Sequence, residues 1–263
     1  MKINFKGTPI FIGTGGKKLD PEKKNLIFIH GSGGSHFSWF MQTRYFAYEG
    51  YNVISPDFPG HGLSEGNPLV SIEEMSLWLS DLISNLKIND FNLIGHSQGC
   101  LIALETSQKL KKSLRKMILI AGSLDIPVNE YLIETSKKDY KKASSLLKNW
   151  GHGIVAHIHA HTHPGVSHLN LGKKVMEMNE RSALNFDLLA CNNYKNGEKI
   201  AKKLTIPSLV ILGKKDLNIP IKKGREMAEK ISNSKVVEIR NGGHFLQSEF
   251  PEQVNNEISF FIN

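Results

Sequence analysis

Three residues far apart in the chain have the types needed to turn a hydroxyl on a carbonyl carbon: Ser97, Asp216 and His244. Ser97 lies in Gly95-His96-Ser97-Gln98-Gly99, a G-x-S-x-G motif. A serine hydroxyl is a weak nucleophile until a base takes its proton, and the base needs a carboxylate to orient it. His244, in Asn241-Gly242-Gly243-His244-Phe245, is the candidate base, and Asp216, just after Leu212-Gly213, the candidate orienting acid. Asp125 also follows an apolar run and stands as the alternative acid. Attack on a carbonyl creates an oxyanion that preorganised backbone N–H groups stabilise. The small residues of His30-Gly31-Ser32-Gly33-Gly34 let amides face a substrate, so the N–H groups of Ser32 and Gln98 are the candidate oxyanion donors. That loop has neither the G-x-x-x-x-G-K-[ST] nor the G-x-G-x-x-G spacing of nucleotide-phosphate cradles.

Chemistry at those positions requires elements that bring them together. Short apolar runs bounded by turn residues occur at Leu26–Ile29, Tyr51–Ile54, Phe91–Ile94, Met117–Ile120, Leu209–Leu212 and Val236–Ile239. Unbroken runs of this kind suit strands covered on both faces, as in a parallel sheet. Ile3–Phe5 and Pro9–Ile12 are expected to add an antiparallel edge. Helical patterns fill the gaps. Ser71 and Glu74 read as a capping box before Ile72, Met75, Leu79, Leu82, Ile83 and Leu86; a helix is expected from Leu101 to Leu110; Pro251 opens a last helix with Val254, Ile258 and Phe261 on one face. This alternation predicts a doubly wound α/β sheet. Ser97 then occupies a strand–turn–helix bend, and Ser97, Asp216 and His244 each follow a strand at the carboxyl edge where such sheets bind ligands. The order Ser…Asp…His is the one expected there.

Residues 127–204 break the alternation and hold no convincing buried strand. A structureless loop of that length is unusual, so they read as a mostly helical insertion, with 1–126 and 205–263 forming the core domain. The insertion carries an unusual run, His157, His159, His161 and His163, with His152 and His168 nearby. On an extended segment alternate histidines share a face and can bind zinc, copper or nickel; on a helix they scatter around the axis. No metal site is assigned on this pattern, and no cofactor is expected.

Composition excludes several classes. The chain has 263 residues, 40% hydrophobic and 22% charged, enough to bury a sizeable core. No run approaches 18 uninterrupted apolar residues, so no membrane span is expected, and the N-terminus lacks the apolar run of a signal peptide. A cytoplasmic protein is expected. Cys100 and Cys191 are too few for a disulfide framework, and Cys100 reads as buried core. The net charge is +8, but the lysines are scattered in pairs such as Lys17-Lys18 and Lys202-Lys203, so nucleic acid is not the expected partner. The motifs leave oligomeric state open.

Taken together, His30-Gly31-Ser32-Gly33, Asp57-Phe58-Pro59-Gly60-His61-Gly62-Leu63-Ser64, Gly95–Gly99, Leu212-Gly213 with Asp216, and Gly243-His244 resemble the α/β-hydrolase superfamily over nearly the full length. The resemblance implies a mostly parallel eight-stranded sheet flanked by helices, with a helical cap inserted after the sixth strand. It also implies that His30, Gly31, Trp39 and His96 bind substrate. Dehalogenases and epoxide hydrolases of this fold use a carboxylate nucleophile, which Ser97 is not. Carbon–carbon bond hydrolases usually carry Asn before the serine and Trp after the histidine, where this chain has His96 and Phe245. The resemblance therefore points to a serine carboxylesterase acting on a small-molecule ester. The alternatives are a carbon–carbon bond hydrolase or perhydrolase on the same scaffold, or a non-catalytic ligand-binding receptor.

Overall fold

The apolar runs of the central strands divide their side chains between two faces, and each face is covered. A computed structural model describes residues 1–153 and 167–263. In strand β3 (Asn25–Ile29), Leu26 and Phe28 join one buried cluster while Ile27 and Ile29 join another. The same split recurs in β5 (Phe91–His96), β6 (Leu114–Ile120) and β7 (Ser208–Gly213). Two buried faces favour apolar residues at successive positions, which explains why these runs are nearly continuous rather than alternating, with Asn92 a buried polar exception.

With β1 (Lys2–Phe5), β2 (Thr8–Gly13), β4 (Asn52–Pro56) and β8 (Ser234–Ile239), the strands form one eight-stranded sheet in the order β1-β2-β4-β3-β5-β6-β7-β8. β1 and β2 pair antiparallel, β2 meets β4 antiparallel, and the other six strands are parallel. The loops after β3, β4, β5, β7 and β8 therefore gather at one edge. This is the α/β-hydrolase sheet.

Helices α1 (Phe40–Tyr48), α2 (Ile72–Asn85), α3 (Gln98–Lys109), α9 (Ile221–Lys230), α10 (Leu246–Glu249) and α11 (Pro251–Ile262) accompany the sheet. The Ser71 hydroxyl accepts from the Glu74 N–H at 3.1 Å, and the Glu74 carboxylate reaches back to the Val70 N–H at 3.0 Å, one residue earlier than a standard capping box. Helix α3 begins at Gln98, three residues before the expected Leu101, because the bend at Ser97 leads straight into it. Between β6 and β7 run α4 (Glu130–Lys138), α5 (Tyr140–Gly151), α6 (His168–Glu177), α7 (Ala183–Asn193) and α8 (Gly197–Ala201). Leu132, Ala143, Leu184 and Leu188 bury together there as a small core of their own. No helix among the described residues is long and apolar enough to cross a membrane.

Candidate active site

The bend at Ser97 is strained. Its backbone sits at φ 55° and ψ −120°, a conformation a non-glycine residue adopts only at a cost on the order of 1–3 kcal/mol. Its neighbours make the bend possible by lacking side chains. A Cβ on Gly95 would lie 2.4 Å from the Gly99 carbonyl oxygen, and one on Gly99 would lie 2.5 Å from the Ile29 carbonyl oxygen. Close backbone approach, not a left-handed φ, is what demands glycine at both positions. The Ser97 N–H is held by the Ile120 carbonyl at 3.0 Å, which anchors the bend to β6.

His244 follows β8, and its Nδ1 lies 2.7 Å from Asp216 Oδ2. The other Asp216 oxygen accepts the N–H groups of Asn218 and Ile219, both at 2.9 Å, so the carboxylate is fixed by its own loop. Asp125 is engaged elsewhere: it pairs with Lys223 Nζ at 3.0 Å on a half-exposed surface. The backbone of His244 is gripped as well. Its N–H donates to the Gly151 carbonyl at 2.5 Å, and its carbonyl accepts from His96 Nε2 at 2.9 Å. A carbonyl only accepts, so the His96 proton resides on Nε2; burial and the neighbouring His244 hold that ring neutral by pulling its pKa well below the usual value.

A buried carboxylate clamps the same loop. Glu249 accepts from the N–H groups of Gly153 (2.8 Å), Gly243 (3.3 Å) and Phe245 (3.1 Å), joining the end of α5 to both sides of His244. Burial pushes its pKa up to about 7, against the pull of those three donors.

Ser32 lines the cavity next to Ser97, and its N–H donates to no acceptor among the described residues. Gln98 is the first residue of α3, where an N–H has no intrahelical acceptor. By contrast the Gly34 N–H is used by Gly31 and the Gly33 N–H by Asp187.

Two residues expected to touch substrate do not line the cavity. His30 is buried behind the loop; its Nδ1 donates to the Gly31 carbonyl, its Nε2 accepts from Phe58 N–H, and burial with His61 nearby lowers its pKa to about 4. Trp39 is fully buried between Phe28 and the edge of the His96 ring, so it supports His96 rather than the ligand. Gly31 and His96 do line the cavity. The Asp57–Ser64 motif proves to be scaffolding: Asp57 accepts from His36 and from the Leu63 N–H, and a Cβ on Gly62 would collide with its carboxylate at 2.3 Å. Cys100 is buried under the bend and burial raises its thiol pKa far above the usual value.

The cavity over Ser97 and His244 has a volume of about 340 Å³. The sheet edge forms its floor, and Leu132, Leu147, Trp150, Val175, Met176 and Leu188 of α4–α7 are among its walls. No Lys, Arg, Asp or Glu lines it among the described residues. His152 and His168 do, with His152 stacked on Phe245 at 4.5 Å. His157, His159, His161 and His163 lie outside the described residues, and no cluster of three or more metal-ligating side chains occurs among those described.

Ser97 at the bend after β5, with the Asp216–His244 pair on the next loops of the same edge, is the layout of an α/β-fold hydrolase. The chain belongs to the Alpha/beta hydrolase family, whose model matches residues 26–257. It is 25% identical over 248 residues to an (E)-2-((N-methylformamido)methylene)succinate hydrolase from Acinetobacter baylyi, covering 92% of this chain and 91% of that one. It is also 25% identical over 241 residues to Protein ABHD8 from Bos taurus, of which it spans 55% of the length. Among solved structures, the enol-lactonase from Burkholderia xenovorans LB400 shares the fold with a TM-score of 0.88 at 19% identity, covering 100% of this chain and 99% of that one.

Proposed function

We propose that this hydrolase cleaves carboxylic esters through an acyl-enzyme on Ser97. The observation that carries the reading is the 2.7 Å Asp216–His244 contact on the cavity that Ser97 enters from a strained bend. Asp216 Oδ2 takes the Nδ1 proton of His244 as a hydrogen bond, leaving Nε2 as the base for the Ser97 hydroxyl. As Oγ adds to the ester carbonyl, the N–H groups of Ser32 and Gln98 receive the oxyanion, and His244 then returns the proton to the departing alcohol. Water activated by the same imidazole releases the acid. Helices α4–α7, in the cap read from the sequence, wall the acyl and alcohol sites.

The lining among the described residues, which carries no Lys, Arg, Asp or Glu, supports uncharged esters or lactones as substrates. The Acinetobacter relative is named for a substrate that is a succinate, a dianion, whereas no Lys or Arg lines the cavity here among the described residues. The enol-lactonase is named for cyclic-ester cleavage, which is the same bond chemistry.

A series of p-nitrophenyl esters of increasing acyl length tests the reading. Turnover by the unaltered enzyme, with at least a ~10⁴-fold loss of kcat in folded Ser97→Ala, is expected. Full ester turnover by Ser97→Ala would refute it; so would failure to turn over any ester, which would leave the carbon–carbon and receptor alternatives.

A further inference from the structure

Asp187 in α7 is a buried carboxylate that the steps above do not use, and it touches both sides of the candidate oxyanion hole. Its Oδ2 accepts the Gly33 N–H at 2.7 Å, one residue beyond Ser32. Its backbone carbonyl accepts from the Gln98 side-chain amide at 3.0 Å. Gly33 is the residue next to the first donor, and Gln98 is the residue whose backbone N–H is the second. We propose that Asp187 is the positioning residue of the oxyanion hole, setting the spacing of the Ser32 and Gln98 N–H groups from the helical segment between β6 and β7.

The surroundings make this grip rigid. Gly33 has φ +63°, a left-handed turn that needs glycine. Leu184, one turn before Asp187 on the same helix, would lie 3.1 Å from a Cβ placed there. Asn179 holds the opposite side of Gly33, donating to its carbonyl at 2.7 Å while accepting the Gly62 N–H at 2.8 Å. Both peptide groups flanking Gly33 are thus fixed by residues of one segment. His61 completes the arrangement. Its Nδ1 faces the Pro59 carbonyl at 3.0 Å and its Nε2 faces Asp187 Oδ2 at 3.0 Å. Both partners only accept, so both ring nitrogens carry protons, and the ring is an imidazolium paired with Asp187. Although burial opposes the charge, the carboxylate raises the His61 pKa. Such a pair, desolvated on both sides, is poor at adding stability and well suited to fixing geometry. The remaining Asp187 oxygen is buried with no partner among the described residues, a further cost with no structural return.

The proposal rests on the ester reading, so its test separates the two. A thionoester replaces the carbonyl oxygen by sulfur, a weaker acceptor, so loss of oxyanion donors slows the oxygen ester more than its thiono counterpart. The unaltered enzyme, Asp187→Ala and Asp187→Asn are compared on p-nitrophenyl butyrate and p-nitrophenyl thionobutyrate, with folded fraction fixed by near-ultraviolet circular dichroism. In Asp187→Ala, kcat on the oxygen ester is expected to fall about 100-fold with KM within about threefold, and the oxygen-to-thiono ratio to drop at least about tenfold. Asp187→Asn, which keeps an acceptor for Gly33, should fall between. An unchanged ratio, with both esters slowed alike or neither slowed, overturns the positioning role. If Asp187→Ala does not fold, the ratio in Asp187→Asn decides. Inactivity of the unaltered enzyme on both esters would overturn the ester reading instead; NMR line widths at Ser32 and Gly33, expected to broaden in the Asp187 variants, would then decide the positioning claim, and an unchanged loop would refute it.

Discussion

The sheet edge and the helical segment between β6 and β7 build one cavity by different means. At the edge, reactive groups are fixed largely by backbone: the Ser97 bend by Gly95 and Gly99, and Asp216 by the Asn218 and Ile219 N–H groups, while the His96 ring holds the His244 carbonyl. The helical segment supplies apolar wall, the side-chain anchors Asp187 and Asn179, and at the end of α5 the Gly151 carbonyl and Gly153 N–H, which meet the edge loops. Strands buried on both faces tolerate little change, so the edge can hold atoms to a fraction of an ångström. Helices α4, α5 and α7 share a small core of their own, although Ala190 and Cys191 of α7 also pack into the sheet's core. Reactivity is therefore expected to track edge substitutions, and substrate choice to track the helical wall.

The strongest way to break that division is at the two candidate acids. Asp216→Asn should lower kcat by about 10³- to 10⁴-fold, while Asp125→Asn, which only frees Lys223, should leave kcat within about twofold. Equal losses would erase the distinction between an edge carboxylate on His244 and a surface ion pair.

Next in size is charge selection by the wall. p-Nitrophenyl butyrate should exceed p-nitrophenyl hemisuccinate in kcat/KM by at least about 100-fold, because the added carboxylate would meet no Lys or Arg among the described lining residues. Comparable values would mean that the wall does not choose by charge.

The smallest effect concerns the clamp between the two regions. A carboxyl whose folded pKa lies above its unfolded value favours the fold most when protonated. The Glu249 contribution should be full below about pH 4.5 and decline as pH rises to about 7. Relative to Glu249→Gln, the unaltered protein should lose on the order of 1–3 kcal/mol across that window in urea unfolding. Parallel curves for the two proteins would remove the titration from Glu249.

What the chain reveals by itself follows the same division. The strands were legible because burial on both faces leaves an unbroken apolar run, and the Ser97 bend because its steric demands fall on residues two positions away. Asp216 and His244 were legible because each trails such a run. Asp187 was not: its partners Gly33 and His61 lie 154 and 126 positions earlier, with no spacing to mark them. Glu249 looks like one more acidic residue in a short polar stretch until Gly153 is brought to it from 96 positions away. The burial of His30 and Trp39 was not legible for a related reason: nearness to the glycine loop in sequence says nothing about which way a side chain points.

The central claim is that Ser97 is a hydroxyl made reactive by His244. Incubation with an alkyl fluorophosphonate followed by peptide mass spectrometry tests it directly. The expected result is one phosphonyl group per chain on the Ser97 peptide, absent in Ser97→Ala and formed at least about 100-fold more slowly in His244→Ala. A label on another residue, or labelling of Ser97 at the same rate without His244, would contradict it.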